Sequence, residues 1–229
     1  MSWADGRLCG FDIETTGEGR EIARIVTMTV VFVGGGQPPE TVCLLADPGV
    51  EIPAAATAVH GITTEHARAE GLKPAEVVET AANRLAEAWR CGPVIGFNIV
   101  YDLTVLDREL RRHTGSSLDV SGPVIDPHVI DRALDRRKGK RTLAETCRYY
   151  DIRHDAAHDA TQDALAAARL AWRLAKRHPA EVGSLSLAEL HARQVGWAKQ
   201  WADGLNAYWR SQGQDKSIDG SWPLQPLAL

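Results

Sequence analysis

The stretch LCGFDIETTGEG, Leu8 to Gly19, decides the reading of this chain. In it Asp12 and Glu14 stand one residue apart at the end of an apolar run. On a β-strand residues i and i+2 point to one face, so both anions are expected to face one spot. Such a pair at a buried strand end costs several kcal/mol unless a cation or a proton offsets it. Hard oxygen ligands of this kind suit magnesium or manganese. Taken alone, an Asp-x-Glu is more often a solvated strand end running into a turn, here at Thr15-Thr16-Gly17, so the decision lies downstream.

Two further stretches supply it. In GFNIVYDLTVL, Gly96 to Leu106, Pro93 to Phe97 reads as a short buried strand and the segment from Val100 as a helix with Leu103, Leu106 and Leu110 on its apolar face. Asn98 is suited to end that strand and cap the helix. Asp102 then falls in the first turn, where the helix dipole favours an anion. In HDATQDALAAARLAWRLAKR, His158 to Arg177, Asp159 with Gln162 reads as an N-cap and its N3 partner. His158 is therefore expected in the entering loop, with Asp163 fixed in the first turns. A loop histidine beside a rigid carboxylate suits a base that approaches a water. A second His-x4-Asp pair, His154 with Asp159, overlaps this one. The frame His158 with Asp163 is preferred, because the small ALAAA run after Asp163 packs closely on a sheet, whereas the other frame puts its ligand at the cap.

These three motifs, in this order and spacing, resemble the DEDDh branch of the DnaQ-like 3′-to-5′ exonucleases over about residues 7 to 177. HGIT, His60 to Thr63, is similar to a segment lying between the first two motifs in the proofreading-subunit subgroup. The resemblance implies an α/β fold, a ribonuclease H-like mixed five-stranded sheet flanked by helices, whose first three strands form an antiparallel meander. It implies two divalent ions, magnesium or manganese, held by Asp12, Glu14, Asp102 and Asp163. In that scheme Asp12 bridges, Glu14 and Asp163 complete the site of the attacking water, Asp102 supports the second ion, and His158 takes the proton. The 3′-terminal nucleotide is expected at the backbone of Thr15 and Thr16, with help from His60 and Asn98, and the products would be nucleoside 5′-monophosphates. ETTG at Glu14 to Gly17 looks more like the proofreading group than the oligoribonuclease group, which favours DNA over RNA. A non-catalytic binding module is the remaining alternative, disfavoured because all four carboxylates and the histidine are present.

The rest of the chain is consistent with that layout. Arg7 to Ile13, Ile22 to Val33 and Glu40 to Leu45 read as strands, the last two joined by the turn GGGQPP, Gly34 to Pro39. Lys73 to Arg90 reads as an amphipathic helix, and Val124-Ile125 as a brief strand before an N-cap at Asp126 and an N1 proline at Pro127. Thr142 and Ser186 each open a capping box. Residues 1–180 are assigned to the exonuclease domain and 181–229 to a helical extension and tail. In the extension Leu187, Leu190, Gln194, Trp197, Trp201, Leu205 and Tyr208 form an aromatic stripe at helical spacing. Core packing is the leading reading of that stripe, with base stacking or self-association as alternatives, and Trp222 is a candidate anchor for the tail.

Composition bounds the partners. A chain of 229 residues with 44% hydrophobic content can bury one substantial core. A net charge of −4 argues against a protein that coats nucleic acid, yet not against one that grips a strand end. The basic run RALDRRKGKR, Arg132 to Arg141, is a candidate phosphate contact or else a solvated connector. No apolar run is long enough for a membrane span, and the four cysteines lack a CxxC, so a reduced cytoplasmic protein with four buried thiols is expected.

Overall fold

In the computed structural model, which describes residues 2–154 and 159–227, the sheet is built outward from Arg7–Thr15 (β1). Ile25–Gly34 (β2) pairs antiparallel with β1, and Glu40–Leu45 (β3) pairs antiparallel with β2. Left-handed glycines at Gly34, Gly35 and Gly36 make the turn between β2 and β3. The chain then forms two short helices, Ala54–His60 (α1) and Thr64–Glu70 (α2), and a longer one, Pro74–Cys91 (α3). Val94–Ile95 (β4) enters parallel to β1, followed by Val100–Thr114 (α4) and by Val124–Ile125 (β5), parallel to β4. Pro127–Leu134 (α5), Leu143–Tyr149 (α6), Ala160–Arg177 (α7) and Leu187–Ser211 (α8) complete it. The sheet order β3-β2-β1-β4-β5 is the expected mixed five-stranded arrangement of a ribonuclease H-like fold.

Side-chain alternation along β1 divides the molecule into layers. Cys9, Phe11 and Ile13 join the core built with Val77, Val78, Ala81 and Leu85 of α3 and Leu103 and Leu106 of α4. The opposite face, Leu8, Gly10, Asp12 and Glu14, turns toward α7, whose Ala166, Ala167, Leu170, Ala171 and Leu174 pack with Ile95 and Ile125. No helix among the described residues is long and apolar enough to cross a membrane.

Several expectations are corrected. β2 begins at Ile25 rather than Ile22, because the Ile22 and Ala23 N–H groups turn back onto the Gly19 carbonyl and Ile22 is 79% exposed. α1 and α2 have too few buried apolar residues to show helical periodicity. Cys9 and Cys147 are buried, but Cys43 and Cys91 are exposed. In the basic run Arg137 and Arg141 close on the fully buried Asp131 at 3.0 and 2.5 Å, so they hold the fold, while Arg136, Lys138 and Lys140 stay exposed. The capping expectations at Asp126, Thr142, Asp159 and Ser186 hold, each side chain accepting from a first-turn N–H.

α8 is integrated with the sheet. Leu190 and Gln194 are fully buried, and Gln194 acts as a substitute strand edge for β5. Its Nε2 donates to the Val124 carbonyl at 3.0 Å and its Oε1 accepts from the Asp126 N–H at 2.7 Å. Such reciprocal bonding satisfies backbone groups that a two-residue edge strand would leave bare. Core packing thus describes the first half of the stripe, whereas Trp197 and Trp201 are partly buried and Tyr208 is 58% exposed. Trp222, 6% exposed, does anchor the tail in the core beside α4.

Candidate active site

The period of two along β1 puts the Asp12 and Glu14 carboxylates on the face covered by α7, and α7 supplies Asp163 to the same place. One oxygen from each of Asp12, Glu14 and Asp163 lies within 4.8 Å of the others. That convergence depends on an unusually close helix-to-strand approach, because a Cβ at Gly10 would stand 2.4 Å from the backbone oxygen of Ala164. Asp102 arrives from the other side of the strand. β4 pairs with β1 only as far as Gly10, and beyond it the Ile13 N–H is taken by Asp102 Oδ1 at 3.1 Å. The four carboxylates therefore gather where the parallel strands end, the usual place for a site in such sheets.

Their electrostatics require a counter-charge. Burial, followed by repulsion from Asp102, Asp163 and Glu14, holds the Asp12 carboxyl well above the ordinary carboxylate range. Burial likewise raises Asp102, against the opposing effect of the Ile13 N–H, and pushes Glu14 up to about 7. No Lys or Arg among the described residues forms an ion pair with Asp12, Glu14 or Asp102. An all-oxygen, mutually repelling cluster fits a hard divalent cation.

Asp159 stays at the helix cap, accepting from the Thr161 and Gln162 N–H groups, so Asp163 is the carboxylate that reaches the cluster. His158 lies outside the described residues. His154, from the overlapping frame, has its Nε2 2.5 Å from Asp163 Oδ1, with only 6% of its side chain exposed. The structure therefore brings to the site a histidine that the sequence reading set aside.

The substrate candidates lie in three places: the turn after β1, the entry to α4 and the end of α1. Thr15 Oγ1 and Tyr101 Oη lie 2.6 Å apart and both meet the Gly17 carbonyl, while Thr16 pairs with Arg24 through N–H and hydroxyl. These bonds fix the turn after β1, and Tyr101, one residue before Asp102, takes part in it although no local pattern marks it. Asn98 does not cap α4. It adopts a left-handed φ of 61°, and the cap position falls at Ile99. Asp126 does the work instead: its oxygens accept from the N–H groups of Asn98, Ile99 and His128, although burial pushes its pKa up to about 6. His60, at the end of α1, accepts from the Ile62 N–H through Nδ1.

The close approach at Gly10 gives a direct test of how the cluster is held. Gly10→Ala should push α7 off β1 beside Asp163, costing about 1–3 kcal/mol of stability and lowering turnover about tenfold or more. Thermal melts and nucleotide-release assays on the variant check this. Wild-type behaviour in both would mean that Asp163 is placed by something other than this contact.

The profile of the RNase T family, described as exonuclease, matches residues 9–171. The chain belongs to the RNase T exonuclease family. Its fold is similar to that of Exonuclease I from Methylocaldum szegediense, with a TM-score of 0.61 and 23% identity over 76% of this chain and 41% of that one. E. coli Exonuclease I in complex with a dT13 oligonucleotide gives 0.62 and 19%, over 76% and 42%. Its complex with a dA16 oligonucleotide gives 0.61 and 20%, over 76% and 41%. The chain thus spans about two fifths of the length of these structures. No curated protein matches it in sequence. Family membership carries divalent-metal dependence with it, and all four motif carboxylates lie inside the matched region.

Proposed function

We propose that this member of the RNase T family is a DEDDh-type 3′-to-5′ exonuclease that uses two magnesium or manganese ions to release nucleoside 5′-monophosphates from DNA 3′ ends. The observation that carries the reading is the convergence of Asp12, Glu14 and Asp163 with Asp102 beside them. Divalent cations bound there supply the positive charge that offsets the growing negative charge of a phosphodiester under attack. The chain's own residues do the rest. Asp12, Glu14, Asp102 and Asp163 hold the ions, the turn at Thr15 and Thr16 with Asn98 and His60 receives the terminal nucleotide, and His158 accepts the proton of the attacking water. DNA is favoured by the ETTG string and by the oligodeoxynucleotides bound to the E. coli relative. Parallel digestion of matched DNA and RNA strands with free or blocked 3′ ends tests all of this. Release only from free DNA 3′ ends in the presence of cation is expected, and preferential loss of RNA would reassign the substrate.

Cation binding has a readout independent of activity. Because the Glu14 and Asp12 pKa values are raised on folding, the cation-free folded protein binds more protons than the unfolded chain. Its stability therefore falls as pH rises from the ordinary carboxylate range, near 4.5, toward about 7. Cations require the ionised carboxylates, so magnesium or manganese should raise the melting temperature strongly at about pH 8 and hardly at about pH 5. A shift of equal size at both values would remove the carboxylate cluster as the binding site.

A further inference from the structure

A cavity of about 250 Å³ lies between α5, α8 and the returning C-terminal segment. Asn98, four residues before Asp102 in the chain, forms part of its wall. Most of the remaining wall lies outside the region shared with the exonuclease family: Trp197 and Trp201 from α8, and Trp222 from the tail. The tail is fastened as a fixed wall. The Gln225 N–H donates to Thr104 Oγ1 at 3.1 Å, Arg108 Nη2 to the Pro226 carbonyl at 2.6 Å, and Arg20 to Gln225 Oε1 at 2.7 Å. A preformed, largely apolar cavity slightly below the usual lower size of about 300 Å³ for ligand pockets suits one planar ring system.

Arg132 adds the feature that identifies the ligand. Its guanidinium carbon lies 3.8 Å from the centroid of the Trp201 ring, and both side chains line the cavity. Its neighbours Arg137 and Arg141 are both spent on Asp131, but among the described residues no carboxylate comes within ion-pair distance of Arg132. Asp126, in the same wall, is occupied by three backbone N–H groups, and Asp219 accepts from the Ser221 N–H at 2.8 Å. A half-buried guanidinium that feels Asp126 and Asp131 but is ion-paired to no carboxylate among the described residues, set among indoles, matches a ligand with both a phosphate and an aromatic base.

We propose that this cavity is a nucleotide-binding site for the substrate strand, with Arg132 on a phosphate and a base among Trp197, Trp201 and Trp222. The proposal rests on the nuclease reading above, and it makes α8 and the tail part of the strand path. It is tested on the full chain with labelled oligothymidylates of two and of about eight nucleotides, in EDTA so that no strand is cut, by anisotropy and tryptophan fluorescence. Arg132→Gln keeps the stem over Trp201 and removes the charge. It should weaken binding of the longer strand about tenfold and lower the log–log salt slope by about one, with an unchanged melting temperature. Trp201→Leu should lose both affinity and much of the fluorescence quenching. If Arg132→Gln does not fold, Trp201→Leu decides alone. Unchanged affinity, salt slope and quenching in the variants, with normal strand cutting by the wild type, would overturn the site and leave the nuclease reading intact. Binding and quenching in a wild type that releases no nucleotide with magnesium or manganese would do the reverse.

Discussion

Asp12→Ala should abolish nucleotide release, lowering turnover by about a thousandfold or more, since several kcal/mol of charge stabilisation depend on a cluster that this residue centres. Asp12 is the carboxylate whose charge is coupled to Asp102, Asp163 and Glu14 together, so its loss disrupts the whole donor set. The same coupling makes an opposite expectation for stability. In the absence of cation Asp12 is a partly buried, repelled group, and Asp12→Asn, which preserves its shape, relieves that repulsion. The cation-free variant should therefore melt no lower than the wild type near neutral pH, and its melting temperature should no longer respond to magnesium or manganese. Loss of activity with retained or raised stability is the signature of a residue kept for function rather than for the fold. Labelled single strands with free 3′ ends and paired melts provide the measurement. Wild-type turnover in Asp12→Ala would remove the carboxylate cluster from the mechanism.

The parts of this site that were legible in the sequence are those governed by local periodicity. Alternation along β1 placed Asp12 and Glu14 on one face, and the ALAAA run announced a helix able to lie against a strand. The contact of Gly10 with Ala164 is the physical form of that second signal. The parts that were hidden depend on neighbours distant in sequence. Asn98 read as a cap because its residue type favours caps, whereas the backbone there is left-handed and Asp126, 28 residues on, satisfies its N–H. Gln194 read as one more member of a stripe, since nothing local shows a glutamine completing the edge of β5. Arg137 and Arg141 read as part of a basic loop because a charge run is normally solvated, and the buried Asp131 that collects them is visible only in three dimensions. The C-terminal stripe shows the same division. Its periodicity gave the helix, but which of its residues reach the core and which line a cavity is set by where the tail returns.

The two histidines before α7 should separate into two kinds of defect. His158→Ala is expected to lower turnover about a hundredfold or more at saturating cation, the size of effect usual for a lost general base, with cation affinity little changed. His154 has a different place. With its Nε2 against Asp163 Oδ1 it orients a cation-holding carboxylate, and partners of this sort act mainly on affinity. His154→Ala should raise the cation concentration needed for half-maximal activity by about ten- to a hundredfold, and excess cation should restore turnover. Cation titrations of activity in both variants, with titrations of melting temperature beside them, distinguish the assignments. If excess cation rescues His158→Ala while His154→Ala stays inactive at every concentration, then His154 is the base. The helix cap at Asp159 would then still leave Asp163 as the carboxylate facing Asp12 and Glu14, so the histidine would change and the metal ligands would not.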